Sequence, residues 1–333
     1  MSSQFFARLG ARRWFGAALV VSAGLLAACG GGGQIDPFKP TRILAFGDEL
    51  SLIETDGRKY SINAFKITDA TTTPPTESTT EIDCTRNPLW IQTVAVGFGL
   101  AFDRCLGAAT AASGQILAQA GHKVANFEAQ IAAVQGNALG EKDLALVMIG
   151  MHDILELYTQ FPGVGSGALL DQAAARGTAY GKQINALALR GPAVVVLTVP
   201  DLGLTPFALA QNTLTGDPLR AALLTAMTEE FNNSMSVALI NDGRLIGLVF
   251  ADLELQRMVK SPASFGLTNV IAPACKDTAP LPGCTTATLA DATATAAAAT
   301  ATTWLWADSL RLSPAGQARL GLLAESRARS NPF

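Results

Sequence analysis

A three-layer α/β/α sandwich around a doubly wound parallel sheet is the fold this sequence predicts, on three observations. Short apolar runs recur along the chain. Each stops at a glycine, or at aspartate with a glycine or proline beside it or alanine before it. Helix-length patterns stand between them. With 333 residues there is length for a sizeable core. Apolar residues make up 49% and charged residues 15%, far below the roughly 25% of an average domain, which argues against disorder throughout.

The elements follow in order. Arg42-Ile43-Leu44-Ala45-Phe46 reads as a buried strand entering a tight turn at Gly47-Asp48. Residues 55–85 read as an insertion, with a turn signal at Asp56-Gly57 and a Thr/Pro loop over 71–80. Pro88 opens a helical spacing that continues to Leu100. Asn126 is placed to cap a helix reaching Val134. Leu144–Ile149, Ala193–Val199 and Leu245–Phe250 are three further strands, closed by Gly150, Pro200-Asp201 and Ala251-Asp252. Leu169–Leu189 and Pro218–Ile240 are helices, and Pro314 begins a last helix reaching Arg327. The Ala/Thr-rich stretch over 285–303, within a second insertion at about 270–303, reads as a surface loop or a loose helix. Strands alternating with helices imply a parallel sheet covered on both faces. Its chemistry belongs beyond the carboxyl ends of the strands, after Phe46, Ile149 and Val199.

The first 28 residues read as a signal. Arg8, Arg12 and Arg13 precede an apolar segment, Phe15–Leu26, too short to span a bilayer comfortably. Leu26-Ala27-Ala28-Cys29 resembles a bacterial lipobox, which implies cleavage before Cys29 and a diacylglycerol on its thiol; an ordinary cut after Ala28 is the rival. Glycine rather than aspartate at position 30 resembles the outer-membrane class, facing the periplasm. Gly30–Gly33 then reads as part of a tether over residues 29–40. The membrane, through the Cys29 lipid, is thus the expected partner. Setting Cys29 aside leaves four cysteines, an even number in an exported chain. Cys275 and Cys284 bracket a short loop and are expected to pair, which leaves Cys84 for Cys105.

With a net charge of -3 and no basic patch, nucleic acid is excluded as a partner. Two histidines, His122 and His152, cannot build a multi-histidine metal site, so no metal or other cofactor is expected.

Gly47-Asp48-Glu49-Leu50 resembles the first block of the GDSL/SGNH ester hydrolases, in which Glu49 stands at the position of the serine nucleophile. Leu117–Gly121 resembles their second block, with Gly121 at an oxyanion-hole glycine. Gly150-Met151-His152-Asp153 resembles the third, with His152 at the oxyanion-hole asparagine. Asp308-Ser309-Leu310-Arg311 resembles the last, keeping Asp308 but carrying Arg311 at the catalytic histidine. Pro200–Pro206 and Phe265–Asn269 are similar to other family segments. The resemblance spans 41–328 and implies a flavodoxin-like domain over that range.

The implied catalytic positions are therefore Glu49, Gly121, His152, Asp308 and Arg311, in degenerate form. Without serine there is no acyl-enzyme, and an arginine that stays protonated cannot act as base. Glu49 has two expected arrangements in the cleft, against a plainer reading in which it and Arg311 changed independently and both are solvated. It either pairs with Arg311, whose guanidinium is held on its other side by Asp308, or turns to the Gly121 N–H and the His152 ring and fills the oxyanion hole. Asp48 and Asp153 read as turn and capping residues, His122 as a loop residue, and Ser51 as facing inward. The expected function is a catalytically degenerate protein that binds a partner or a small ligand, acyl or saccharide by family analogy. The alternatives are a hydrolase of acyl or acetyl esters using Glu49 or His152 to activate water, and an envelope scaffold whose cleft has no role.

Overall fold

The structure, a computed structural model, describes residues 38–291 and 298–330. Cys29 and the signal therefore lie outside the described residues. In chain order the elements are β1 (Arg42–Gly47), β2 (Phe65–Asp69), β3 (Thr76–Ile82), α1 (Trp90–Gly97), β4 (Gly114–Ile116), α2 (Phe127–Ala132), β5 (Asp143–Met148), α3 (Met151–Tyr158), α4 (Ser166–Ala188), β6 (Ala193–Leu197), α5 (Pro206–Thr215), α6 (Arg220–Ala238), β7 (Ile246–Val249), α7 (Ala251–Lys260), β8 (Asn269–Pro273), β9 (Trp304–Trp306) and α8 (Pro314–Arg329).

Five strands form one sheet in the order β4-β1-β5-β6-β7, and every adjacent pair is parallel. Counted along the chain this is 2-1-3-4-5, the flavodoxin-like order. β5 and β6 are buried at every residue, as is all of β1 after its first residue, because helices cover both faces. Helices α1 and α8 pack together on one face, and α4 packs against α2 and α6 on the other. The switch of strand order falls at β1, between β4 and β5, so the turns after those three strands converge at one end of the sheet.

Two glycines make those turns possible. Gly47 ends β1 at φ +134°, and a Cβ there would lie 1.9 Å from the Met148 carbonyl oxygen. Gly150 follows β5 at φ +134°, where a Cβ would strike the Phe231 ring and Val199. Only glycine fits both conformation and space. At the opposite end of the sheet, Arg42 holds Asp143 through Nε at 2.8 Å and Nη2 at 2.5 Å, fixing the register of β1 against β5.

Several elements differ from the sequence expectation. The helix expected over 88–100 occupies only Trp90–Gly97, since Leu89 starts it extended and Gly99, at φ +69°, follows its end. Asn126 precedes α2 but does not cap it; its side chain accepts from the Lys123 N–H instead. Strands β2, β3, β4, β8 and β9 and helices α3, α5 and α7 are additions, most of them short and individually weak as patterns, and β3 takes up the second half of the loop expected over 71–80, where pairing with β2 supplies its hydrogen bonds. The first insertion holds the tight turn at Asp56-Gly57 and then the β2–β3 hairpin. The second begins with β8, which pairs with β9 just beyond it, and Ala274, Cys275 and Cys284 from it join Ile62 of the first insertion and Trp304 in a small separate core. Both expected disulfides are formed, Cys84–Cys105 and Cys275–Cys284.

Candidate functional site

The turn after β1 is a single 3-10 turn, Glu49–Ser51, begun by Asp48, whose Oδ1 accepts the Leu50 N–H at 3.0 Å. Asp48 thus has the capping role its position suggested. The turn points the Glu49 side chain across the carboxyl ends of the strands, where its carboxylate is 1% exposed. Glu49 makes both of its expected arrangements at once. Oε1 accepts from Arg311 Nε at 3.1 Å and Nη2 at 2.5 Å. Oε2 accepts the Gly121 N–H at 3.0 Å. His152 Nε2 lies 2.9 Å from Oε1 and 2.8 Å from Oε2. An ionised carboxylate only accepts, so Nε2 carries the hydrogen.

Each partner comes from a different element. Gly121 follows β4 with φ +76°, a conformation that aims its N–H at the carboxylate. His152 is in the first turn of α3, directly after the Gly150 bend. Arg311 lies between β9 and α8, and Asp308 three residues earlier takes Arg311 Nη1 at 2.9 Å. The other oxygen of Asp308 accepts the backbone N–H groups of Leu310 and Arg311, closing the loop on itself.

The charges order themselves. Burial pushes Glu49 up, but the His152 hydrogen bond, the His152 and Arg311 charges and the Gly121 N–H outweigh it and hold the carboxyl down at about 2. Asp48, next to it, has burial and the Glu49 charge against ionisation and is pushed up to about 7. Two neighbouring carboxyls thus split: Glu49 takes the cations, and Asp48 binds its proton more tightly than a free carboxyl does. His152 is lowered by burial and raised more by Glu49, so the net direction is up. Arg311 is likewise raised, Asp308 and Glu49 overcoming its burial.

The other expected residues fall outside this cluster. Ser51 is buried and accepts Trp90 Nε1 at 3.1 Å, on the inner side of the turn. His122 pairs its Nδ1 with Gln130 Nε2 at 2.8 Å, and Asp153 accepts the Val124 N–H. Tyr60 was not singled out by sequence. Burial and the Glu54 and Glu49 charges push its phenol up. The Asp56-Gly57 turn brings Glu54 and Tyr60 back to the rim of the site, and no motif marks them.

Lys59, also unmarked, is fully buried. Its Nζ donates to the carbonyls of Cys84 at 2.9 Å, Arg86 at 2.5 Å and Asn87 at 2.9 Å. Burial pushes its amine down to about 7. The three carbonyls work against that, because only the ammonium has three hydrogens to give. Among the described residues no group of three His, Cys, Asp or Glu side chains is placed to hold a metal ion.

No protein-family model matches the chain, and no curated protein matches it. Among solved structures it is similar to an acetylxylan esterase of Geobacillus stearothermophilus, at 12% identity and a TM-score of 0.37, over 88% of this chain and 96% of that one. A single-substitution variant of that esterase matches at 13% identity and a TM-score of 0.36, over 87% and 95%.

Proposed function

We propose that this chain is a non-hydrolytic cell-envelope lipoprotein of SGNH-like fold. Its anchor is a diacylglycerol on Cys29 after removal of residues 1–28, and its cleft binds a ligand or partner instead of cleaving an ester. An acyl group or a saccharide is the ligand class that the sequence resemblance suggests. One observation carries the reading: the Glu49 carboxylate occupies the nucleophile position with both oxygens taken by Arg311, His152 and Gly121.

Acyl transfer needs a nucleophile with a free lone pair, a base to take its proton, and N–H groups left open for the oxyanion. Glu49 supplies none of these. It is ionised at neutral pH and far too weak a base at about 2. The Gly121 N–H that would steady an oxyanion is bonded to Glu49 itself. Arg311 stays protonated, and Ser51 is turned away. The same bonds weigh against water activation, since His152 Nε2 is committed to the carboxylate.

The test is the purified chain against p-nitrophenyl esters from acetate to palmitate and against an acetylated saccharide. The expected rate is that of Glu49→Gln, indistinguishable from background for both. Turnover that disappears in Glu49→Gln and resists serine-directed phosphonates would establish a hydrolase of a different kind and overturn the proposal.

A further inference from the structure

A groove of about 1260 Å³ shares no lining residue with the Glu49 site. Ala95, Val96, Leu100 and Phe102 line it, together with the Cys84–Cys105 disulfide, and Lys66 stands at its rim. Two of its apolar side chains are open to solvent: Val96 is 76% exposed and Leu106 38%, above a floor of buried Ala95 and Phe102. Contiguous apolar surface of this kind marks a contact surface more often than bare solvent.

The path of the chain says what covers it. Phe38 packs edge-on against Phe98, ring centroids 6.4 Å apart, and Phe98 lies between the lining residues Gly97 and Gly99. The polypeptide therefore leaves the domain beside this groove. Phe38 is nine positions beyond Cys29, a covalent reach of at most about 30 Å. A lipid on Cys29 keeps this face of the domain within one short tether of a bilayer. Lys39, next to Phe38, is exposed, and Lys66 makes only an exposed contact with Glu81 at 3.4 Å, which binds it weakly; the acidic lining residues are Asp83 and Glu325, the latter paired with Arg329 at 2.8 Å.

We propose that the groove and its rim are the face that the domain lays on the membrane. Val96 and Leu106 enter the acyl boundary, the groove takes a phospholipid acyl chain, and Lys39 and Lys66 reach the phosphates. The choice of a bilayer as occupant rests on the Cys29 anchor of the proposed function. The experiment reads the two separately.

Full-length protein carrying Val96→Cys or Val237→Cys is labelled with an environment-sensitive fluorophore and placed in phosphatidylethanolamine–phosphatidylglycerol vesicles containing nitroxide-labelled lipid. Val237 is 87% exposed on α6, in the opposite helical layer. The label at 96 should be blue-shifted and quenched by the nitroxide, and the label at 237 should be neither. Quenching at both positions, or at neither, overturns the docking face. A blue shift at 96 that grows with protein concentration and not with lipid means that a second copy covers the face, and this also overturns it. Fatty-acid labelling of the same protein, with Cys29→Ser as control, reports the anchor. Quenching at 96 without fatty-acid label removes the anchor and keeps the face; label without quenching at 96 removes the face and keeps the anchor. As a second measurement, Val96→Asp should lower vesicle binding of the Cys29→Ser chain severalfold, and Val237→Asp should not.

Discussion

Replacing Arg311 tests whether the Glu49 cluster is one coupled unit. Glu49 has only 1% of its side chain exposed, while Arg311 retains 22%. Losing the guanidinium takes two N–H donors from a sealed carboxylate and leaves it His152 and the Gly121 N–H. Removing one partner of a buried pair costs about 3–5 kcal/mol, and the surviving donors and the partial exposure of Arg311 place Arg311→His near the lower end. Glu49→Ser should cost less, about 2 kcal/mol, because Arg311 keeps Asp308 and some water. The double change removes both charges, so its cost should fall short of the sum by at least about 1 kcal/mol. Urea unfolding at pH 7 gives the three differences, and thermal midpoints should follow at roughly 2 °C per kcal/mol. Ester hydrolysis is read on the same proteins. Neither single variant should show any, because one faces an arginine that cannot take its proton and the other has no nucleophile. The double variant, with Asp308 in place and the Gly121 N–H vacated, should show weak activity, and adding His152→Asn should raise it. Strictly additive costs would refute the coupled cluster. Wild-type hydrolysis as fast as the triple variant would refute the inactive site.

Three other expectations concern stability. Asp48, raised in the folded chain to about 7, binds its proton more tightly there than in the unfolded chain, so its contribution is full at low pH and is lost as pH rises between about 4 and 7. Asp48→Asn keeps the acceptor for Leu50; it should raise stability at pH 8 and change little at pH 3.5, read as the urea midpoint, and a pH-independent effect would contradict the assignment. Lys59→Met leaves three carbonyls of the 84–87 loop without their donor and should lower stability by about 3 kcal/mol, seen as a reduced urea midpoint; a neutral result would mean water replaces the ammonium without cost. Opening the second disulfide with Cys275→Ser and Cys284→Ser releases a short loop and should cost about 3 kcal/mol; non-reducing peptide mapping that finds these thiols free in wild type would remove the basis for it.

The sequence by itself determined the sheet. Four of its five strands are local runs of apolar residues with turn residues at their ends, and burial on both faces makes such runs conspicuous. It also named the five residues that the fold gathers into one hydrogen-bonded cluster around Glu49 and Arg311, and both cysteine pairs. It could not choose between Arg311 and the Gly121–His152 pair as the partners of Glu49. That depends on whether residues 262, 72 and 103 positions away arrive at one carboxylate together, which only the strand order and the turns at Gly47 and Gly150 decide. Tyr60 and Lys59 stayed hidden for the same reason. The Ile53–Lys59 bridge and the loop at 84–87 that give them their surroundings are contacts between segments whose sequences carry no periodic pattern. The three-residue strands β4 and β9 exist because neighbours supply their hydrogen bonds, and so few residues have no preference strong enough to show alone.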